Sequence, residues 1–140
     1  MVKLIVGKKG SGKTKTLLKM VDEAAAASKG HVVCIEKGDS LRPNVKNHIR
    51  LINTKEYAIN GAESYYGFIA GLLAGNYDIT DVFGDATFKI ICGKDVHNTE
   101  MVADFVEKVA GLLGERDVNI VFTVSCDSSE LPERVAKYIG

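Results

Sequence analysis

Eight residues near the amino terminus carry the clearest chemistry in this 140-residue chain. Gly7-Lys8-Lys9-Gly10-Ser11-Gly12-Lys13-Thr14 satisfies G-x-x-x-x-G-K-[ST], a spacing suited to gripping a string of phosphates. Glycines let the backbone curl until successive N–H groups point inward without Cβ clashes. A following helix adds the positive end of its dipole. Within the pattern, Lys13 is expected to reach the β- and γ-phosphates, and Thr14 to offer its hydroxyl to Mg²⁺. Gly7, Lys8, Lys9, Gly10, Ser11, Gly12, Lys13 and Thr14 are therefore the expected nucleotide-binding residues, with Lys15 beside them. A glycine-rich turn flanked by solvated lysines is the plain alternative.

A metal-bound triphosphate also needs an acid at the end of an apolar strand, where it can hold a metal-bound water. Asp85 follows Val82-Phe83-Gly84 and is the expected partner of Thr14 at the metal; its alternative is a turn residue beside Gly84. Glu36 ends the second apolar run and is a candidate to orient an attacking water, with ordinary solvation as its alternative. Lys13, Asp85 and Glu36 make up the candidate catalytic set. Ser125 follows the last apolar run, where it is placed to sense a γ-phosphate or to serve as a turn serine. Among Arg42, Arg50, Arg116 and Arg134, Arg42 in a polar loop is the best placed to supply transition-state charge; a solvated surface arginine is the default. His31, His48 and His97 are too scattered for a metal or catalytic cluster.

These residues need elements to hold them. Leu4-Ile5-Val6 reads as a buried parallel strand, and residues 14–28 as a helix presenting Leu17, Val21, Ala24 and Ala25 on one face. Val32-Val33-Cys34-Ile35 is a second strand, followed by an irregular polar loop over residues 40–47. Residues 49–52 form a short third strand. Asn60, with Glu63 in the capping-box position, is expected to cap a helix striped by Tyr65, Ile69, Leu72 and Leu73. Residues 81–85 are the fourth strand, and residues 87–92 continue it or form a bent second piece. Asn98 or Thr99 caps the next helix, on which Asp104 and Lys108 are spaced for an ion pair. Residues 119–124 are the fifth strand, and residues 135–139 a final edge strand. Strands separated by helices predict a parallel sheet covered on both faces. Little helix is visible over residues 38–48, so that crossover is expected to be loop-like.

Length gives one domain, residues 1–140, large enough to bury about two-thirds of its unfolded surface. The formal net charge of zero argues against bulk attraction to nucleic acid or membrane. The local exception is residues 1–21, with six lysines and no acid. Cys34, Cys92 and Cys126 form no C-x-x-C pair and read as reduced thiols, which favours a cytoplasmic location. The longest apolar run, residues 65–75, is too short to span a bilayer, and no signal peptide is visible.

Through Gly7 to Thr14 the chain resembles the P-loop NTPase superfamily. The opening Lys3-Leu4-Ile5-Val6-Gly7, the loop, the small size and the segment from Asp85 to Lys89-Ile90 make it similar to short stand-alone bacterial proteins sometimes labelled ATP-binding or twitching-motility (pilus ATPase-like) proteins. The resemblance implies a three-layer P-loop NTPase fold, with a mostly parallel sheet of five or six strands and a RecA-like rather than kinase-like strand order. It implies ATP, or another nucleoside triphosphate, with Mg²⁺ as cofactor. Many RecA-like ATPases place a Glu directly after the metal-site Asp; here that position is Ala86. Motor activity does not carry over, because counterparts of the acidic and histidine boxes of the larger motors are missing. Thymidine kinases are also similar in their loop, but three lone cysteines do not supply a zinc cluster. The expected function is Mg²⁺-dependent nucleotide binding with slow hydrolysis. The alternatives are a nucleotide-gated module without useful turnover, a small-molecule kinase, and a subunit acting only when assembled as a homo-oligomer or with a protein partner. No segment reads as a base clamp, so ATP is a default.

Overall fold

The computed structural model describes residues 1–46, 48–93 and 97–140. Five strands, β1 (Val2–Val6), β2 (His31–Glu36), β3 (Arg50–Asn53), β4 (Ile79–Gly84) and β5 (Asn119–Val124), form one sheet in the order β1-β5-β4-β2-β3. Every neighbouring pair is parallel. The α/β class and the parallel sheet expected from alternating runs are thus borne out. Because the strands share one direction, their carboxyl ends gather at a single edge, which brings Gly7, Glu36, Asp85 and Ser125 to the same side of the molecule.

Strand side chains alternate between two cores. Val32, Cys34, Phe83 and Val121 face α1 (Lys13–Ala27) and pack against Leu17 and Val21. Leu4, Ile35, Val82, Ile120 and Phe122 belong to the opposite core, covered by α2 (Ala62–Gly75), α3 (Thr87–Cys92) and α4 (Thr99–Leu113). Tyr65 of α2, Phe105 of α4 and Phe122 of β5 meet there as an aromatic triad, with ring centroids 5.0 to 5.9 Å apart. A strand buried on both faces has no polar alternate, which is why these segments read as unbroken apolar runs. Among the described residues no helix is long and apolar enough to cross a membrane.

Several expectations are corrected. Residues 87–92 form a helix, not an extension of β4. Ala86 adopts a left-handed conformation (φ 52°) that turns the chain sharply out of the strand, and Thr87, Phe88, Ile90 and Ile91 are all buried in the turn that follows. Residues 135–139 do not add a strand: a 3₁₀ helix covers Glu133–Tyr138, and only Ile139 makes an isolated parallel bridge to Leu4. Gly61, not Asn60, is the N-cap of α2; the Asn60 N–H donates to Ser64 Oγ instead. Asp104 pairs with Arg134 at 3.0 Å, and Lys108 lies over the Tyr66 ring. Asn98 does cap α4, accepting from the Met101 N–H. The polar loop expected over residues 40–47 contains one 3₁₀ turn, Arg42–Asn44; its last residue, Asn47, lies outside the described residues.

Candidate functional site

The loop after β1 closes upon itself. The Gly7 N–H still reaches the Val124 carbonyl, at 3.3 Å, so the loop leaves the sheet in step with β5. The Ser11 N–H donates to the Lys8 carbonyl at 3.0 Å, which makes a tight turn of residues 8–11. Gly10 and Gly12 have φ of 86° and 87°, a region that side chains with a Cβ rarely adopt. Gly12 is the N-cap of α1 and offers no side-chain cap, and the first turn holds no acid. The leading N–H groups of this helix have no intrahelical acceptor and open onto the cavity that Gly12, Lys13 and Thr14 line.

Lys13 folds back under this turn. Its ammonium donates to the Lys8 carbonyl at 2.9 Å and lies 3.5 Å from Ser11 Oγ, and the residue is only 9% exposed. Burial lowers its pKa, opposed by the nearby Asp85 carboxylate and by Cys126. The ammonium is held directly by one carbonyl and one weak hydroxyl contact, and by no carboxylate within hydrogen-bond distance among the described residues.

Asp85 stands across the cavity, one residue beyond β4. Its N–H is fixed by the Ile35 carbonyl at 2.9 Å. Thr14 Oγ1 approaches its two carboxylate oxygens at 3.2 and 3.5 Å. Thr123 Oγ1 donates to Asp85 Oδ1 at 2.6 Å and accepts from the Ala86 N–H at 2.8 Å, so one buried hydroxyl fixes both the carboxylate and the turn behind it. Gly84 is required just before the acid: a Cβ there would lie 2.3 Å from Tyr65 Oη and 2.8 Å from Phe122 Cδ1.

The cavity enclosed by these elements measures about 500 Å³. It brings together Lys9, Gly10, Gly12, Lys13, Thr14 and Lys15 on one wall. Glu36, Asp85 and Ser125 stand on the others. Gly7, Lys8 and Ser11 do not line it; they shape the loop from behind. Glu36 is not solvated. It is 3% exposed, and its two oxygens accept from Ser40 Oγ and the Leu41 N–H, both at 2.8 Å, so it anchors the start of the following loop. Arg42 faces elsewhere: it pairs with Asp39 at 3.2 Å and lines a different hollow. Cys126, beside Ser125, is buried, and its thiol pKa is pushed up to about 11 by burial and by Glu130 and Asp127.

Thr123, Lys37 and Lys89 also border the cavity and were not singled out by sequence spacing. The available signal for Thr123 was a lone hydroxyl within the apolar run of β5. Among the described residues no group of three or more His, Cys, Asp and Glu side chains is arranged to hold a metal. The donors that do meet, the Thr14 hydroxyl and the Asp85 carboxylate, are hard oxygens. They fit the way Mg²⁺ is held by one or two protein oxygens together with phosphates.

No protein family model matches the chain, and no curated protein is significantly similar to it.

Proposed function

We propose that this protein binds a nucleoside triphosphate, ATP by default, together with Mg²⁺, in the cavity between the Gly7–Thr14 loop and Asp85. The observation that carries the reading is Lys13, a residue only 9% exposed whose ammonium is held beneath a tight glycine turn at an uncapped helix start, with the Thr14–Asp85 oxygen pair 3.2 Å apart beside it. Backbone N–H groups and one buried cation suit phosphoryl oxygens. Thr14 would hold the metal directly, and Asp85, set by Thr123, would support it. The bound Mg²⁺ would neutralise charge on the phosphates. The position of β5 between the strand leading into the loop and the strand leading to Asp85 favours a P-loop fold of RecA-like rather than kinase-like order.

The site is better equipped to hold a nucleotide than to split it quickly. Ala86 provides no carboxylate after Asp85, and both oxygens of Glu36 are engaged by the 40–41 loop. Nucleotide-dependent binding with slow or negligible turnover is therefore favoured over fast hydrolysis. Calorimetric titration with ATP, GTP and ADP, each with and without Mg²⁺, tests the binding. Mg²⁺-dependent saturation that Lys13→Ala abolishes is the expected result, and no heat at millimolar nucleotide would refute it. Phosphate release at equal rates in wild type and Lys13→Ala would end the hydrolysis reading. ADP formation that depends on an added acceptor would point to a kinase instead.

A further inference from the structure

We infer that Lys89 is the residue by which this site distinguishes a nucleoside triphosphate from a diphosphate, through its ammonium and the terminal phosphoryl group. The inference rests on the triphosphate reading above and concerns the part of the cavity lined by α3.

A triphosphate carries charge at its far end that a diphosphate lacks, and sites for it commonly provide a second cation there. The four arginines do not fill this role. Arg42 is paired with Asp39, and Arg50 donates to Tyr57 Oη at 3.0 Å. Arg116 is bonded to the Leu112 carbonyl, and Arg134 is held by Glu100, Asp104 and Glu107 at 2.7 to 3.2 Å. None of the four lines the cavity. The cations that do are lysines, and their placement separates them. Lys9 belongs to the glycine loop itself, and Lys13 and Lys15 to the first turn of α1, so all three lie on the loop side. The Lys37 ammonium is committed to the carbonyls of Lys89 and Gly93, at 3.3 and 2.9 Å.

Lys89 lines the cavity from α3, four residues after Asp85, on a different element from the glycine loop. Its flanking residues Phe88 and Ile90 are 2% and 1% exposed, so the helix is locked into the core with Lys89 as its exposed member. Its backbone is held as well, because its carbonyl accepts from both Lys37 Nζ and the Gly93 N–H. Among the described residues its ammonium has neither a hydrogen bond nor an ion pair. A long cationic side chain with no partner among the described residues, on a rigid base four residues after the acid and at the rim of the same cavity, is placed to close on an anion held there.

The test compares Mg²⁺–ATP and Mg²⁺–ADP affinities in wild type, Lys89→Ala, Lys89→Arg and Lys13→Ala, with thermal melting as the folding control. Lys89 is exposed, so its variants are expected to melt like wild type. Lys89→Ala should weaken ATP about tenfold or more, the scale of one charge-assisted hydrogen bond. ADP should weaken less than about threefold, as for a screened surface charge. Lys89→Arg should restore the preference, and Lys13→Ala should lose both ligands. If Lys89→Ala weakens ATP and ADP equally, or neither, while Lys13→Ala still abolishes binding, the role of Lys89 is refuted and the nucleotide site stands. If wild type binds neither ligand, both readings fall.

Discussion

Replacing Thr123 with valine should unfasten the Asp85 carboxylate by removing one buried hydroxyl at the edge of the cavity. The hydroxyl of this residue, which is 1% exposed, donates to Asp85 Oδ1 at 2.6 Å and accepts from the Ala86 N–H at 2.8 Å. Valine keeps the shape and removes both bonds. A hydrogen bond to a charged group contributes about 1.5–3 kcal/mol, and the lower part of that range applies because Asp85 is only half-buried. The Ala86 N–H, left without its acceptor, adds about 1 kcal/mol, since it too is partly accessible. The total is about 2.5–3 kcal/mol, which for a domain of this size corresponds to a loss in Tm of about 8–12 °C. Chemical denaturation of wild type, Thr123→Val and Thr123→Ser gives the energies directly. Serine retains the hydroxyl and should recover most of the loss. A cycle combining Thr123→Val with Asp85→Ala should show coupling of at least about 1 kcal/mol. The same valine variant should lose part of the Mg²⁺ dependence of nucleotide binding, because Asp85 is no longer oriented toward Thr14. If the valine protein melts within about 2 °C of wild type, or serine fares no better than valine, the hydroxyl does not set the acid.

Two further outcomes follow from buried groups. Tyr65 is fully buried and its hydroxyl has no hydrogen-bond partner among the described residues, so Tyr65→Phe should stabilise the fold by about 1–2 kcal/mol in urea denaturation; a loss of stability would mean that the hydroxyl is satisfied. Burial lowers the pKa of Lys13, and a bound phosphate would raise it, so between those two values the complex holds more protons than the free protein. Nucleotide binding at alkaline pH should therefore take up protons and weaken as pH rises through that window, measured by calorimetry in buffers of different ionisation enthalpy; binding heats independent of buffer would contradict it.

The sheet was legible in the sequence wherever a segment is buried on both sides, as in Val32-Val33-Cys34-Ile35 and Ile120-Val121-Phe122, because such strands admit no polar alternate. The same logic misled at Thr87–Cys92. That segment is also buried nearly all round, so it shows no helical period, and its β-branched and aromatic residues favour a strand locally. What makes it helical is the turn at Ala86, which no residue type announces. The glycine loop, Thr14 and Asp85 could be named from spacing and from strand ends. Thr123 could not, because it meets Asp85 only through the pairing of β4 with β5. Lys89 was visible as part of the segment following Asp85, but its cavity position depends on the turn that sequence missed. The burial of Glu36 is not legible in the sequence because a strand-end acid is usually wet, whereas here the next loop folds over it and hydrogen-bonds both oxygens.

The positive φ of Ala86 carries a consequence for how a ligand would be received. An ordinary L-residue held in that region stores on the order of 1 kcal/mol, and it persists only where surrounding contacts over-determine it. Here the Thr123 hydroxyl and the buried run of α3 supply that constraint. The corner between the acid and the following helix therefore behaves as a stiff bracket, not a hinge. A guest entering from solvent would meet a receptacle already in its final form, and little of its affinity would be diverted to ordering the host.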